Sequence, residues 1–212
     1  MAKILVFSEF NNGSAKKGAL ELLTAAKESG NDVAAFLLGS GAKTVANELG
    51  HYGAQEVYIC DDDKLDAYNP ETFTSITEEI INSSGATTIL ASSSMLAQDL
   101  FPRVAAKMDA GITSDCTELT LDGDQIRVRR PMYAGKCTVA VNFNNSDKKF
   151  ILMRPNQLPV ADANTSQTTN IKEVSLPALD LKTTIKEVVR GASEKLDLTE
   201  ANIIVACGRG IK

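Results

Sequence analysis

The sequence predicts an α/β fold: a parallel sheet with helices on both faces, extended by antiparallel hairpins. Three observations carry this. Short, continuous apolar runs alternate four times with stretches of helical spacing over the first hundred residues; the alternation turns to period two near Gly111; and turn signals replace helices from there on.

The elements follow in order. Ile4 to Phe7 is an unbroken apolar run, as expected of a strand buried on both faces. Ala19, Leu22, Leu23 and Ala26 then repeat at i, i+3, i+4 and i+7 before Gly30 closes the helix. Val33 to Leu38 is the second strand, and Ala42, Val45, Ala46 and Leu49 mark the second helix before Gly50. Val57 to Cys60 is the third strand. Pro70 suits the first turn of a helix whose face is Phe73, Ile76 and Ile80. Thr88 to Ala91 is the fourth strand, and Ser92, Ser93 and Ser94 are good caps for a helix bearing Leu96, Leu100 and Val104. Four such units in series imply a parallel sheet with right-handed crossovers.

From Gly111 the strands alternate. Leu119 and Leu121 lead through Asp122-Gly123-Asp124 to Ile126 and Val128, which alternate with Arg127 and Arg129, so a hairpin is expected. Val139, Val141 and Phe143 alternate again, and after a turn at 144–147 the chain returns as Lys149 to Met153, expected as a further antiparallel strand with one wet face. Residues 155–170 form a long loop before a short strand at Ile171 to Val174. Leu181, Ile185, Val188, Val189 and Ala192 mark a last amphipathic helix. Asn202 to Cys207 then reads as a buried strand, and Gly208-Arg209-Gly210 as the turn after it. The expected organisation is an N-terminal α/β domain over 1–180, a helix and linker over 181–201, and at 202–212 the first strand and turn of a second domain that this chain does not complete.

Composition removes several function classes. The 212 residues carry a formal charge of −5, with 22 Lys+Arg against 27 Asp+Glu, so the chain makes a poor nucleic-acid binder. No apolar run approaches the ~20 residues of a bilayer span. An apolar strand that starts at Ile4 leaves no room for a signal or transit peptide, so a cytoplasmic protein is expected. Cys60, Cys116, Cys137 and Cys207 never form a C-x-x-C pair; buried free thiols are the expectation, and neither a metal site nor a redox motif is suggested. The single histidine, His51, falls at a helix end without an oriented partner, and no catalytic residues are expected.

Three groups could bind a ligand. Ser92 to Ser94 at a strand-to-helix junction and the loop Ser8 to Ser14 share one sheet edge, although neither G-x-G-x-x-G nor G-x-x-x-x-G-K-[ST] is present. Asp61, Asp62, Asp63 and Asp66 cluster without EF-hand spacing and read as a solvated loop. Arg127, Arg129, Arg130, Lys136 and Arg154 lie on neighbouring strands and form either a basic face for an acidic cofactor or partner, or a solvent-exposed surface.

Certain segments resemble a known family. Arg130-Pro131-Met132-Tyr133-Ala134-Gly135-Lys136, followed by Arg154-Pro155-Asn156, is similar to the R-P-x-Y-[AG]-G motif and downstream arginine segment of electron transfer flavoprotein alpha subunits. Ile4 to Glu9 resembles that family's first strand with its acidic end, and Ser193 to Gly210 its linker into the flavin domain. The resemblance implies an electron carrier rather than an enzyme. It implies FAD held mainly in a C-terminal domain, a beta subunit as partner, and transfer of electrons from flavoprotein dehydrogenases to a quinone oxidoreductase or another acceptor. It also implies that Arg209 contacts the flavin, a task its planar, permanently charged fork suits. On this reading the chain is the domain that docks on the beta subunit and does not hold FAD alone; the alternative is a small nucleotide-binding or nucleotide-hydrolysing domain of the same fold.

Overall fold

The computed structural model describes residues 3–123, 125–178, 181–187 and 203–210. Its first half runs β1 (Lys3–Phe7), β2 (Phe10–Asn11), β3 (Ser14–Ala15), α1 (Lys17–Glu28), β4 (Asp32–Leu38), α2 (Ala42–His51), β5 (Glu56–Cys60), α3 (Pro70–Ser84), β6 (Thr88–Ser92) and α4 (Met95–Lys107). The second half is β7 (Gly111–Cys116), β8 (Glu118–Asp122), β9 (Gln125–Met132), β10 (Cys137–Val141), β11 (Lys149–Met153) and β12 (Asn170–Glu173). Seven strands form one parallel sheet in the order β12-β5-β4-β1-β6-β11-β7, and β10-β9-β8 form a separate antiparallel sheet.

Why the strands are apolar at consecutive positions is visible in the core. Leu5 and Phe7 face one cluster with Phe73, Ile76 and Ile80 of α3 and Leu100, Phe101 and Val104 of α4. Ile4 and Val6 face a second cluster with Leu22, Leu23 and Ala26 of α1 and Val45, Ala46 and Leu49 of α2. Both faces are covered, so an alternating pattern would bury polar groups. Ile126 and Val128 of β9 join the second cluster, which seats the small sheet on the α1/α2 face.

Local chemistry sets the ends. The Asn69 side chain accepts from the backbone N–H groups of Glu71 (3.0 Å) and Thr72 (3.2 Å), Pro70 follows at the first helical position, and α3 stops at Gly85 with φ +69°. The segment Ser8 to Ser14 is a tight hairpin: Asn12 and Gly13 adopt φ +51° and +79° between β2 and β3, an Asn-Gly turn rather than an anion loop.

Several expectations are corrected. Lys149 to Met153 is no antiparallel strand: β11 lies parallel between β6 and β7, with Phe150 to Met153 all buried. Four consecutive apolar residues suit a strand covered on both sides, and that outweighs the alternation before it. Cysteine burial holds for Cys60 and Cys116 only; Cys137 and Cys207 are exposed. Residues 181–187 are irregular, without helix, and the rest of the expected last helix, from Val188, lies outside the described residues. Ile203 to Cys207 is irregular and exposed, while Asn202 lies outside the described residues.

Candidate functional site

The first crossovers run from β1 outward through β4 to β5, and the chain then returns to place β6 on the other side of β1. Such a reversal parts the loops at the carboxyl ends of β1 and β6, where doubly wound folds take up ligands. A crevice of about 230 Å³ opens there, lined by Glu9, Lys16, Lys17, Gly18, Ser92 to Met95 and Asn156 among others.

Its polar groups are joined to one another. The Glu9 carboxylate is 3.0 Å from Lys16 Nζ and accepts a hydrogen bond from Ser94 Oγ. Ser94 is also the N-cap of α4, its Oγ accepting from Ala97 N at 3.0 Å. Lys17 Nζ donates to Asn156 Oδ1 at 2.8 Å. Glu21, buried on α1, accepts from the backbone N–H of Asn156 at 3.2 Å; burial raises its carboxyl pKa, opposed by backbone N–H groups, Leu158 first, and by Lys17. Gly18 is needed because a Cβ there would meet Ser92 Oγ at 2.6 Å and Ser92 Cβ at 2.9 Å, which holds α1 tight against β6. A carboxylate therefore sits where the cap of α4 and a lysine would receive a phosphate oxygen.

A second cluster lies at the carboxyl ends of β7 and β11. Arg154 grips Asp115 in a two-pronged pair, Nε to Oδ1 and Nη2 to Oδ2 at 2.8 Å each. The hydrogen bonds from Arg154 hold the Asp115 carboxyl below its ordinary pKa, and the Arg130 charge acts in the same direction. Asp115 has φ +59° where the β7–β11 register shifts, so the bulge turns its side chain to the arginine at the cost of a strained backbone. Arg130 stands on the same face of β9 as Ile126 and Val128, whereas Arg127 and Arg129 are exposed on the other; its Nε is buried without a hydrogen-bond partner. The five basic residues therefore do not form one face.

The aspartate cluster serves the loops. Asp61 accepts from Gly41 N (3.0 Å) and Lys43 N (3.1 Å) at the start of α2, Asp66 from Ser40 N (2.8 Å), and Asp62 from Lys64 N (2.9 Å). His51 ends α2 and its carbonyl accepts from Asn164 N at 2.9 Å. Arg209 is exposed in a turn and has no hydrogen-bond or ion-pair partner among the described residues. A planar, permanently charged guanidinium is chemically suited to pair with an anionic cofactor group. Sequence reasoning missed Asp115, Glu21 and the Glu9–Ser94 link, since each depends on partners far along the chain; the shared sheet edge of Ser8 to Ser14 and Ser92 to Ser94 was the signal for the last.

Fold and site together define a doubly wound α/β domain whose ligand edge is bridged by its own side chains, with an antiparallel arm beside it. A family model described as "Electron transfer flavoprotein domain" matches residues 4–179, and the chain belongs to that family. It is 30% identical over 212 residues to the electron transfer flavoprotein subunit alpha of Bacillus subtilis (strain 168), covering 99% of this chain and 65% of that protein. The Clostridium acetobutylicum subunit alpha is 29% identical over 218 residues, covering 98% and 65%. That of Syntrophomonas wolfei subsp. wolfei is 29% identical over 212 residues, covering 100% and 67%. The chain thus spans about two thirds of the length of these relatives.

Proposed function

We propose that this chain forms the N-terminal docking part of an alpha-type electron transfer flavoprotein subunit, working in the cytoplasm with a beta-type subunit and FAD. The observation that carries the docking role is the bridged crevice: Glu9, Lys16 and Ser94 satisfy one another at the one edge where this fold would take up a nucleotide. An internal carboxylate repels phosphate, which argues against the alternative of a nucleotide-binding or nucleotide-hydrolysing domain. The alpha-subunit relatives matched over nearly all of this chain support the alpha type.

In this reading 202–212 begins the FAD-binding domain, and Arg209 holds an anionic group of the cofactor there through its fork of donors. FAD, when bound, supplies the redox chemistry, accepting electrons from flavoprotein dehydrogenases and passing them to a quinone oxidoreductase or another acceptor. The residues of 1–180 orient and bind partners. No described helix is long and apolar enough to cross a membrane. Calorimetric titration with AMP and with ATP tests the assignment: the docking role predicts no saturable heat with either, and clear saturation would favour the nucleotide-binding alternative.

A further inference from the structure

Strand β10 is an uncovered edge. Among the described residues it pairs only with β9, and Cys137 to Ala140 are exposed on both faces of the sheet. Its register with β9 sets Thr138 opposite Pro131, which has no N–H, so that pair lies outside the ladder's hydrogen-bonded sites. Thr138 and, two residues on, Ala140 therefore direct their N–H and C=O groups away from β9 to the free edge. Natural sheets rarely leave such a row open unless something covers it.

The surface around that edge is apolar and basic. The face that Ile126 and Val128 bury continues outward as the half-buried Arg130 and the exposed Met132, opposite Val139 and Cys137; among the described residues Met132 is 37% and Val139 36% exposed. At the tip Tyr133 is 76% exposed, and Tyr133 and Ala134 adopt φ +51° and +54°, a conformation costly for both. Arg127, Arg129, Arg130 and Lys136 surround a strand that carries no acid of its own, on a chain of net charge −5. Glu118 reaches Arg129 only at 3.7 Å, and Asp115 is held by Arg154. Edge-to-edge pairing with a second copy would place two sets of β9 arginines on either side of the new β10 pair, like charge near like. The edge fits a strand of opposite charge.

Resting on the subunit reading above, we propose that the beta-type subunit adds a strand from an acidic segment to the free edge of β10, its apolar side chains covering Met132, Tyr133 and Val139. Main-chain hydrogen bonds to Thr138 and Ala140 give the affinity, and the arginines select the partner.

Hydrogen exchange on the full subunit, alone and with the beta-type subunit, tests this. The amides of Thr138 and Ala140 should exchange fast in the free subunit and at least about tenfold slower in the complex. Ala140→Pro removes an outward N–H without touching the β9 ladder, and should weaken the heterodimer at least about tenfold while leaving the melting temperature of the isolated subunit unchanged. A complex that forms without protecting these amides overturns the edge proposal and leaves the subunit reading standing. Protection already present without the partner also overturns it, since the subunit's own remaining chain would then cover the edge. Failure of the wild-type chains to associate at all overturns both.

Discussion

Glu9 Oε2 lies 3.0 Å from Lys16 Nζ, which bridges the end of β1 to the start of α1 at the mouth of the crevice. The pair is mostly shielded on the Glu9 side, with the Glu9 side chain 16% exposed. Glu9→Gln should keep the fold and weaken it by about 1 kcal/mol, read as a melting temperature lower by about 2–4 °C. An unchanged melting temperature would show that the bridge holds nothing together.

The contact of Gly18 with Ser92 predicts a large effect from one methyl group. Gly18→Ala forces a Cβ to within 2.6 Å of Ser92 Oγ and should destabilise the domain by about 1–3 kcal/mol, despite alanine's better helix propensity. Combining it with Ser92→Gly removes both clashing atoms, so urea unfolding of the double variant should recover part of the loss.

Acid stability depends on Glu56, whose carboxylate receives Lys172 Nζ at 2.5 Å and Lys3 Nζ at 2.6 Å. The hydrogen bonds from Lys172 and then Lys3 lower its pKa from 4.5 to about 2. A carboxylate with a depressed folded-state pKa stabilises fully above its unfolded value and loses that contribution as the pH falls from about 4.5 through about 2. Glu56→Gln should flatten the stability profile across that window; a profile identical to wild type would refute the assignment.

Thiol reactivity should divide the cysteines in two. Burial, then the charges of Asp62, Glu79 and Asp61, pushes the Cys60 thiol up to about 11, and burial raises that of Cys116. Cys137 and Cys207 are exposed. A disulfide reagent at neutral pH should modify Cys137 and Cys207 rapidly in the native chain, and Cys60 and Cys116 only after denaturation.

Much of this architecture is legible in the sequence where local pattern carries it. Ile4 to Phe7 reads as a doubly covered strand, Pro70 as a helix start, and Leu119 to Val128 as a hairpin, because periodicity and turn chemistry act within a few residues. Strand β7 escapes notice because Thr113, Ser114 and Asp115 interrupt any apolar run, and β7 forms the outer edge of the sheet, where it needs only one neighbour. The direction of β11 is set by its insertion between β6 and β7, a tertiary choice without a local trace. The site is less legible still: Glu9 and Ser94 lie 85 positions apart, and Asp115 and Arg154 lie 39 apart. The Arg-Pro and Gly-Arg-Gly segments, with the first strand Ile4 to Glu9 and the linker from Ser193, pointed to the family by resemblance.

The proposed function places these residues in a flavin-carrying heterodimer. It is tested most directly by the absorption spectrum of the full subunit purified with a beta-type electron transfer flavoprotein subunit. A stable heterodimer with flavin bands, diminished by Arg209→Ala, is expected, while residues 1–212 alone remain colourless. A colourless heterodimer that cannot be reconstituted with FAD would contradict it.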